Sequence, residues 1–462
     1  MGLRIGLVGC GLCLAWGCQP KEGDAGPKGA DAAQVANPDS TPGSGAVGTS
    51  TVADPPGSEG AASGSGTSGG TGVAAAAGDD ELPATEDLMT FARGAIPLKV
   101  GGSGASQGAK IEEAIESIDG SSTPFTLLSK GAADSTTELV YQLPAETTFD
   151  GFAVPNVWEV PSKFTTFTQG VEVHGSATGP DSGYTLLAKG TLKTHEKRGQ
   201  QTELEVVSKQ PAKWIKLRLS GGILIEADKT SLQFSELIGR GSQAASALAT
   251  GFKGNWGKGN HGFELTQSGA AVSGCYDGVA PLSGTVSGNI LRARGEEPRT
   301  KVVSLFVLTI MPDGSIRGVR STNGAPFKLV DFSNEVAAKG RCPSLKPPVL
   351  GCGSILHGIN FKYNSAEIQK DSETLLAQLF ASLKADKHAK IRIEGHTSSE
   401  GSEAYNLDLS KRRAEAVVAD LTRRGLPAGR ISAVGRGEAS PIASNADETG
   451  RSLNRRVEVH CD

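Results

Sequence analysis

The sequence predicts a multidomain protein with a β-sandwich, a second small all-β domain and a C-terminal α+β domain. Three observations lead to this fold class. Residues 94–236 contain short runs of alternating polar and apolar residues that are separated by turn residues. Residues 250–345 continue with short strands and Gly-rich turns, and from about residue 350 the apolar residues adopt helical spacing. A length of 462 residues permits two to four such domains.

The N-terminus has the pattern of an exported lipoprotein. Arg4 precedes an apolar run, Ile5–Trp16, that is shorter than the roughly 20 residues needed to cross a bilayer. We therefore predict a signal peptide over residues 1–17. Gly17 directly before Cys18 resembles a bacterial lipobox, which implies lipidation of Cys18. Cys10, which follows Leu-Val-Gly, is a second candidate, and a plain cleaved signal would leave a soluble periplasmic protein instead.

A linker and the overall charge give the next constraints. Residues 18–90 consist largely of Gly, Ala, Ser, Thr, Pro and Asp. Such a segment cannot bury enough apolar surface to offset its chain entropy, so we predict a disordered tether. The formal net charge is −4, and no basic patch with interleaved aromatic residues is present, so nucleic acid is not an expected partner.

The first β region, residues 94–236, is predicted to form an antiparallel sandwich. Its alternating runs are Thr137–Leu143, Gly151–Val157, Gly170–Gly175, Tyr184–Lys189, Thr202–Val207 and Trp214–Leu219. The segments Ile118–Gly120, Val171–Ser176 and Ala212–Leu217 follow one another in an order that resembles a discoidin-type jelly roll. That resemblance implies a jelly-roll-like sandwich whose end loops bind a glycan or a lipid head group.

The second β region, residues 250–345, is predicted to be a meander that forms a small up-and-down barrel or a sandwich. Asp313-Gly314 is a hairpin signal between two strands. Val302–Met311 is apolar but too short to span a membrane, and it indicates a buried strand.

The C-terminal region, residues 350–462, has the predicted order βαβαββ, with two helices on one face of a mixed sheet. Helical spacing is present in Leu375–Leu383 and again in Ala414–Leu421. The predicted strands are Ile355–Phe361, Lys390–Glu394, Ile431–Val434 and Arg456–Val459.

Four cysteines lie downstream of the anchor, an even number that suits an oxidising compartment. We predict the pairs Cys275–Cys342 and Cys352–Cys461, because each pair would then close one domain. The alternative is that Cys342 and Cys352 pair across a linker.

Three motifs in the C-terminal region occur in a characteristic order. They are Gly395-His396-Thr397-Ser398-Ser399-Glu400-Gly401, then Asn406-x-x-Leu409-Ser410-x-x-Arg413-Ala414, then Asn454-Arg455-Arg456-Val457-Glu458. Together they resemble the OmpA-like C-terminal domain. That family binds peptidoglycan non-covalently, so the resemblance implies a site for the diaminopimelate of the peptide stem.

The resemblance places Arg413 where the family holds a carboxylate of diaminopimelate, and a planar, permanently charged guanidinium suits that role. The family usually has Asp where this chain has Ser398, whose hydroxyl cannot supply the charge that pairs with the ligand amine. Either Glu400 or Glu403 supplies that charge, or binding is weaker. Asn406 is expected to cap or brace the loop into the helix. The full set of predicted peptidoglycan-binding residues is Arg413, Ser398, Asn406, Asn364, Thr397 and Glu400.

These features predict an outer-membrane lipoprotein that faces the periplasm and tethers envelope layers by binding peptidoglycan. The alternative is a surface-displayed adhesin whose middle domain binds a glycan while the C-terminal domain holds it to the wall. No histidine lies near a nucleophile motif and no carboxylate pair is identifiable as catalytic, so we predict no enzymatic activity. No cofactor or metal site is predicted.

Overall fold

The computed structural model describes residues 87–103, 111, 113–123, 125–130, 135–157, 168–193, 200–226, 229–333 and 348–462. All of them fall within one compact unit, Ala75–Asp462. The predicted signal peptide, the lipidation site Cys18, nearly all of the linker and Cys342 lie outside the described residues. Among the described helices, none combines the length and the apolar character that a membrane span requires.

The first β region forms a large sheet beside a smaller one. Eight strands make the large sheet, and β2, β10 and β9 make a three-stranded sheet. The elements are β1 Ile96–Gly101, α1 Glu113–Glu116, β2 Phe125–Lys130, β3 Thr136–Pro155, β4 Gly170–Ser176, β5 Thr185–Thr191, β6 Gln201–Glu203, β7 Glu205–Val206, β8 Ala212–Ser220, β9 Ile223–Glu226, β10 Lys229–Phe234 and β11 Ile238–Gln243.

The sequence prediction was wrong about β3. Two separate strands were predicted around residues 137–143 and 151–157, but one strand of 20 residues, Thr136–Pro155, spans the first and most of the second. The alternation is interrupted near Pro144, and there the pairing of β3 with β8 shifts register between Gln142 and Thr147. A bulge of this kind absorbs extra residues without ending the strand, so the interruption does not make a turn.

The second β region is an eight-stranded meander in which consecutive strands are neighbours. The backbone amide of Gly257 in the first strand donates to the carbonyl of Ser333, just after the last strand, at 3.3 Å. The two edges therefore meet, as the predicted up-and-down barrel requires. The strands are β12 Gly254–Lys258, β13 His261–Ser268, β14 Ala271–Tyr276, β15 Ala280–Ser287, β16 Ile290–Glu296, β17 Val303–Ile310, β18 Ile316–Thr322 and β19 Lys328–Phe332.

Strand β17 shows why residues 302–311 are apolar without alternation. Phe306 and Leu308 pack into the meander's own core. Leu305 and Val307 point the opposite way and belong to the core of the first β region. Since successive strand residues face opposite sides, a strand buried on both sides must be apolar throughout.

The C-terminal region is a four-stranded mixed sheet in the order β20-β23-β21-β22, with β21 and β22 parallel. The apolar faces of α2 and α3 share one core with its strands. The elements are β20 Ile355–Leu356, α2 Glu373–Ala385, β21 Ile391–Gly395, α3 Glu403–Arg423, β22 Ile431–Gly435, α4 Glu448–Asn454 and β23 Val457–Cys461.

Two details of this region differ from prediction. The first strand ends at Leu356 instead of Phe361, because Gly358 takes a φ of +104° and turns the chain away. The short helix α4 was not predicted. It begins at a capping residue, Asp447, whose carboxylate accepts from the amide of Gly450 at 2.7 Å, but seven residues are too few for an apolar period to stand out.

The predicted disulfide Cys352–Cys461 is present, with the two Cα atoms 5.5 Å apart. This excludes the alternative pairing of Cys342 with Cys352. Cys275 is also disulfide-bonded, and Cys342, its predicted partner, lies outside the described residues.

Candidate binding site

The candidate site lies where the carboxyl ends of the parallel strands β21 and β22 meet the start of α3. The loop after β21 is tied to the loop after β22, because the amide of Thr397 donates to the carbonyl of Gly437 at 3.0 Å. The hydroxyl of Ser410 on α3 accepts from the amide of Gly437 at 2.9 Å. These bonds hold the loop after β21 against α3, and these two segments carry five of the six predicted ligand-binding residues.

Helix α3 approaches the sheet closely because glycine ends both strands. A Cβ atom on Gly395 would lie 2.3 Å from the carbonyl oxygen of Ser410, and one on Gly435 would lie 2.6 Å from the amide nitrogen of Lys411. Ser402 caps the helix by accepting from the amide of Tyr405. Leu409, Ala414, Val417 and Leu421 form its buried face.

Arg413 lies at the edge of that buried face and is half-buried. Its Nε donates to the carbonyl of Ser365 at 3.0 Å, and its guanidinium carbon lies 5.0 Å from the centre of the Phe361 ring. Burial, with a further contribution from nearby Arg455, lowers the pKa of Arg413 to about 10. The guanidinium therefore stays charged at neutral pH, although it has lost part of its hydration.

The partners of Arg413 differ from those of the other arginines on α3. Arg412 forms an ion pair with Asp408 at 2.7 Å, and Arg423 forms one with Asp420. In the described part of the chain, no carboxylate forms an ion pair with Arg413. A partly desolvated guanidinium that has no carboxylate partner among the described residues is suited to bind an anionic ligand.

The other predicted residues lie around the same cleft, which has a volume of about 850 Å³. Thr397 and Ser398 are buried, whereas Glu400 and Asn364 are exposed. Asn364 adopts a left-handed conformation with a φ of +50°, directly before the carbonyl that accepts from Arg413. All six predicted residues line this cleft: Asn364, Thr397, Ser398, Glu400, Asn406 and Arg413.

Ser398 and Glu400 act together. The Ser398 hydroxyl donates to the Glu400 carboxylate at 2.9 Å. That carboxylate also lies 3.5 Å from Arg455 and 3.6 Å from Arg451. A negative charge is thus held beside the position where the family usually has an aspartate.

Asn406 does not cap α3, because Ser402 does, and its side chain contacts the loop after β22 instead of the loop into the helix. Its side chain is 2% exposed, and its amide nitrogen donates to the carboxylate of Glu438, in the loop after β22. His396 is likewise buried, and burial, with repulsion from Arg456, lowers its pKa to about 4 despite the nearby carboxylate of Glu458. The imidazole is therefore neutral at pH 7 and belongs to the packing of the loop.

Two groups of residues that line the cleft were not predicted from the sequence: aromatic side chains of the C-terminal region and polar side chains of the first β region. Tyr363 and Tyr405 are both exposed and line it together with Phe361. Gln201, Glu203 and Arg240 of the first β region line it as well. Tyr405 directly precedes the second motif and Tyr363 directly precedes Asn364, so both stand next to predicted residues. No sequence signal brings residues near 200 and 240 to this site.

Comparison with known proteins identifies the C-terminal region. Residues 360–455 match the model of the OmpA family. This stretch of the chain is thus an OmpA-family domain, as the motifs indicated.

Two curated relatives share this part of the chain. The outer-membrane lipoprotein YfiB of Pseudomonas aeruginosa is 41% identical over 99 residues, which are 21% of this chain and 59% of YfiB. The peptidoglycan-binding protein ArfA of Mycobacterium tuberculosis is 34% identical over 134 residues, which are 27% of this chain and 41% of ArfA. The chain therefore spans about half the length of these relatives.

A solved structure is also similar to part of the chain. The peptidoglycan-associated lipoprotein from Burkholderia pseudomallei is 33% identical, and the alignment covers 22% of this chain and 88% of that one, with a TM-score of 0.21. The predicted discoidin-type identity of the first β region remains a prediction.

Proposed function

We propose that this protein binds peptidoglycan through its C-terminal OmpA-family domain and thereby tethers the cell wall to the outer membrane. Arg413 holds a carboxylate of the diaminopimelate residue, and Glu400 pairs with the amine of the same residue. The half-buried guanidinium of Arg413, described above without an ion-pair partner, is the observation that carries this proposal. Two relatives agree with this proposal, since YfiB is an outer-membrane lipoprotein and ArfA is a peptidoglycan-binding protein.

The first test is sedimentation of the protein with purified peptidoglycan that contains diaminopimelate. Arg413→Ala removes a charge-assisted hydrogen-bond donor worth about 1.5–3 kcal/mol, so binding should weaken roughly 10- to 100-fold. Arg413→Lys should also weaken binding, because an ammonium cannot form the two parallel bonds of a guanidinium.

Arg412→Ala is the matched control, since it removes the same charge one position away from a side chain that pairs with Asp408. It should bind as the unchanged protein does. Equal binding by Arg413→Ala and the unchanged protein, with both folded by circular dichroism, would show that the site lies elsewhere.

The membrane end of the tether is proposed to be a lipid on Cys18. Metabolic labelling with a fatty acid should label the unchanged protein and leave Cys18→Ser unlabelled. Cys10→Ser should keep the label. Label on Cys18→Ser together with loss of label in Cys10→Ser would move the anchor to Cys10. If the unchanged protein itself takes up no label, the signal peptide is cleaved without lipidation.

A further inference from the structure

A cluster of metal-ligand side chains surrounds the Cys352–Cys461 disulfide. Asp386 directly follows α2, and His388 comes two residues later. The Cys352 sulfur lies 3.3 Å from the Asp386 carboxylate and 3.7 Å from Nδ1 of His388. One ligand atom from each of the four side chains lies within 4.8 Å of the others.

These separations are close to those of a tetrahedral zinc site. With Zn–S near 2.3 Å and Zn–N or Zn–O near 2.1 Å, neighbouring ligand atoms are about 3.4–3.8 Å apart. The two distances from Cys352 to Asp386 and His388 already fall near this range. Cys352 and Cys461 are joined by a disulfide bond, which must break before both sulfurs can bind one ion as thiolates.

The loop that carries Asp386 and His388 is held in place independently of the sulfurs. One guanidinium nitrogen of Arg430 donates to the carbonyl of Asp386 at 2.9 Å and to that of His388 at 2.8 Å. The amide of His388 also donates to the Asp386 carboxylate at 2.8 Å, which makes a tight turn. Ligands on a fixed backbone lose little entropy when they bind a metal.

We propose that reduction of the Cys352–Cys461 disulfide creates a zinc site made of Cys352, Cys461, Asp386 and His388. A dithiol reductant transfers two electrons and two protons to the disulfide and itself becomes a disulfide, which leaves two thiols on the protein. Zinc then displaces the two thiol protons and takes the place of the hydrogen bond that joins Nδ1 of His388 to Asp386 at 2.7 Å. The same corner of the domain is thus closed by a covalent bond when oxidised and by a metal when reduced.

The experiment uses the full chain, once oxidised and once reduced without oxygen, with zinc chloride as the probe. Bound zinc is measured after gel filtration, and cobalt is substituted to read thiolate coordination from its absorption spectrum. We expect the reduced protein to bind one zinc more than the oxidised protein, with a tetrahedral thiolate spectrum for cobalt.

Variants distinguish this site from zinc bound elsewhere, including by other reduced cysteines. A Cys352→Ser/Cys461→Ser double variant should lose one zinc, and His388→Ala and Asp386→Asn should each weaken binding at least tenfold. His460→Ala, a nearby histidine outside the cluster, should bind zinc normally. Oxidised His388→Ala should melt like the oxidised unchanged protein, which shows that the variant folds.

Two results would overturn the proposal. One is equal zinc binding by the reduced unchanged protein and the reduced double-cysteine variant, which means adventitious zinc only. The other is unchanged affinity in both His388→Ala and Asp386→Asn, which would show that the two cysteines bind zinc without them.

Discussion

Beside Ser398, a negative charge comes from Glu400 and not from the residue directly after Gly-His-Thr. Ser398 is 4% exposed and reaches Glu400 through its hydroxyl. The serine therefore positions a carboxylate that stands two residues away. We therefore propose that Glu400 takes the place of the family's usual aspartate.

Glu400→Gln is expected to weaken binding of diaminopimelate-type peptidoglycan. Glu400 is exposed, so its pairing with a ligand amine is screened by water and contributes at most about 1 kcal/mol, or roughly fivefold in affinity. Quantitative sedimentation with a dilution series measures this. Glu403→Gln is the control on the first turn of α3, and an equal loss in both variants would assign the effect to general charge.

A companion variant moves the carboxylate back to the family position. Ser398→Asp alone places two carboxylates side by side, which costs free energy. Ser398→Asp combined with Glu400→Ser keeps one negative charge and should recover the affinity lost in Glu400→Gln.

At the scale of single elements, α3 is the helix on which the site depends. It carries Arg413 and Asn406, and two glycines let it lie against the sheet edge. Its first turn is capped by Ser402, directly after the loop that holds Ser398 and Glu400. The stability of the first turn of α3 should therefore affect the positions of both Glu400 and Arg413.

Ser402→Ala should lower the free energy of unfolding by about 1 kcal/mol, because the first-turn amide of Tyr405 loses its acceptor. Urea unfolding followed by circular dichroism measures the change. Ser399→Ala, an exposed serine in the same loop, should leave stability within about 0.5 kcal/mol. A similar loss in both variants would show that the effect does not come from the cap.

Across the whole molecule, the β regions and the OmpA-family domain are packed together. Leu453 of α4 belongs to the core of the first β region. Arg292, on the meander, is 9% exposed and donates to Ser452 of α4 at 3.3 Å and to the carbonyl of Ala92. Arg451 of α4 donates to the carbonyl of Gly120 at 3.0 Å. The binding cleft is therefore part of a larger body and not an isolated module.

Buried carboxylates lie where these regions meet. Burial raises the pKa of Asp87 and of Asp119 to about 7. Glu236 is 2% exposed, and burial, with repulsion from Asp119 and Asp87, raises its pKa well above the usual value. Its carboxylate accepts from the amide of Gly120 at 3.0 Å. The folded protein thus keeps protons on these groups at pH values where the unfolded chain releases them.

Stability should fall as pH rises. The favourable contribution of these groups is complete below about pH 4, the range of the unfolded pKa values, and is lost as pH passes through the raised folded values near 7 and above. Glu236→Gln cannot ionise and keeps an acceptor for Gly120. Its stability relative to the unchanged protein should therefore increase from about pH 5 to pH 8.

Melting temperatures of both proteins across that range test this prediction. The buried histidines His357 and His396 have lowered pKa values, so they reduce the stability of the folded protein as pH falls below about 6.5. Both proteins contain these histidines, so the effect cancels in the difference between them. Glu415→Gln, on the exposed side of α3, is the control for the substitution itself. If the difference in melting temperature between Glu236→Gln and the unchanged protein stays constant from pH 5 to pH 8, Glu236 does not ionise in the way proposed.

The C-terminal region shows most clearly which elements can be predicted from the sequence. Apolar spacing predicted both long helices, because each packs one continuous stripe on the sheet. The same reasoning overestimated the first strand and missed α4, where a single glycine conformation and one turn of helix decide the outcome. The break near Pro144 predicted two strands because a bulge and a turn look alike in a single sequence.

The sequence by itself determined the motif order, the candidate Arg413 and a cysteine pairing that closes the C-terminal domain. Only the tertiary structure decided that Arg412 has a carboxylate partner while none is described for Arg413, that Ser398 presents Glu400, and that the β regions line the cleft. The physical reason is distance along the chain. Spacing fixes which face of a helix a residue occupies, but the groups opposite that face come from segments tens to hundreds of residues away.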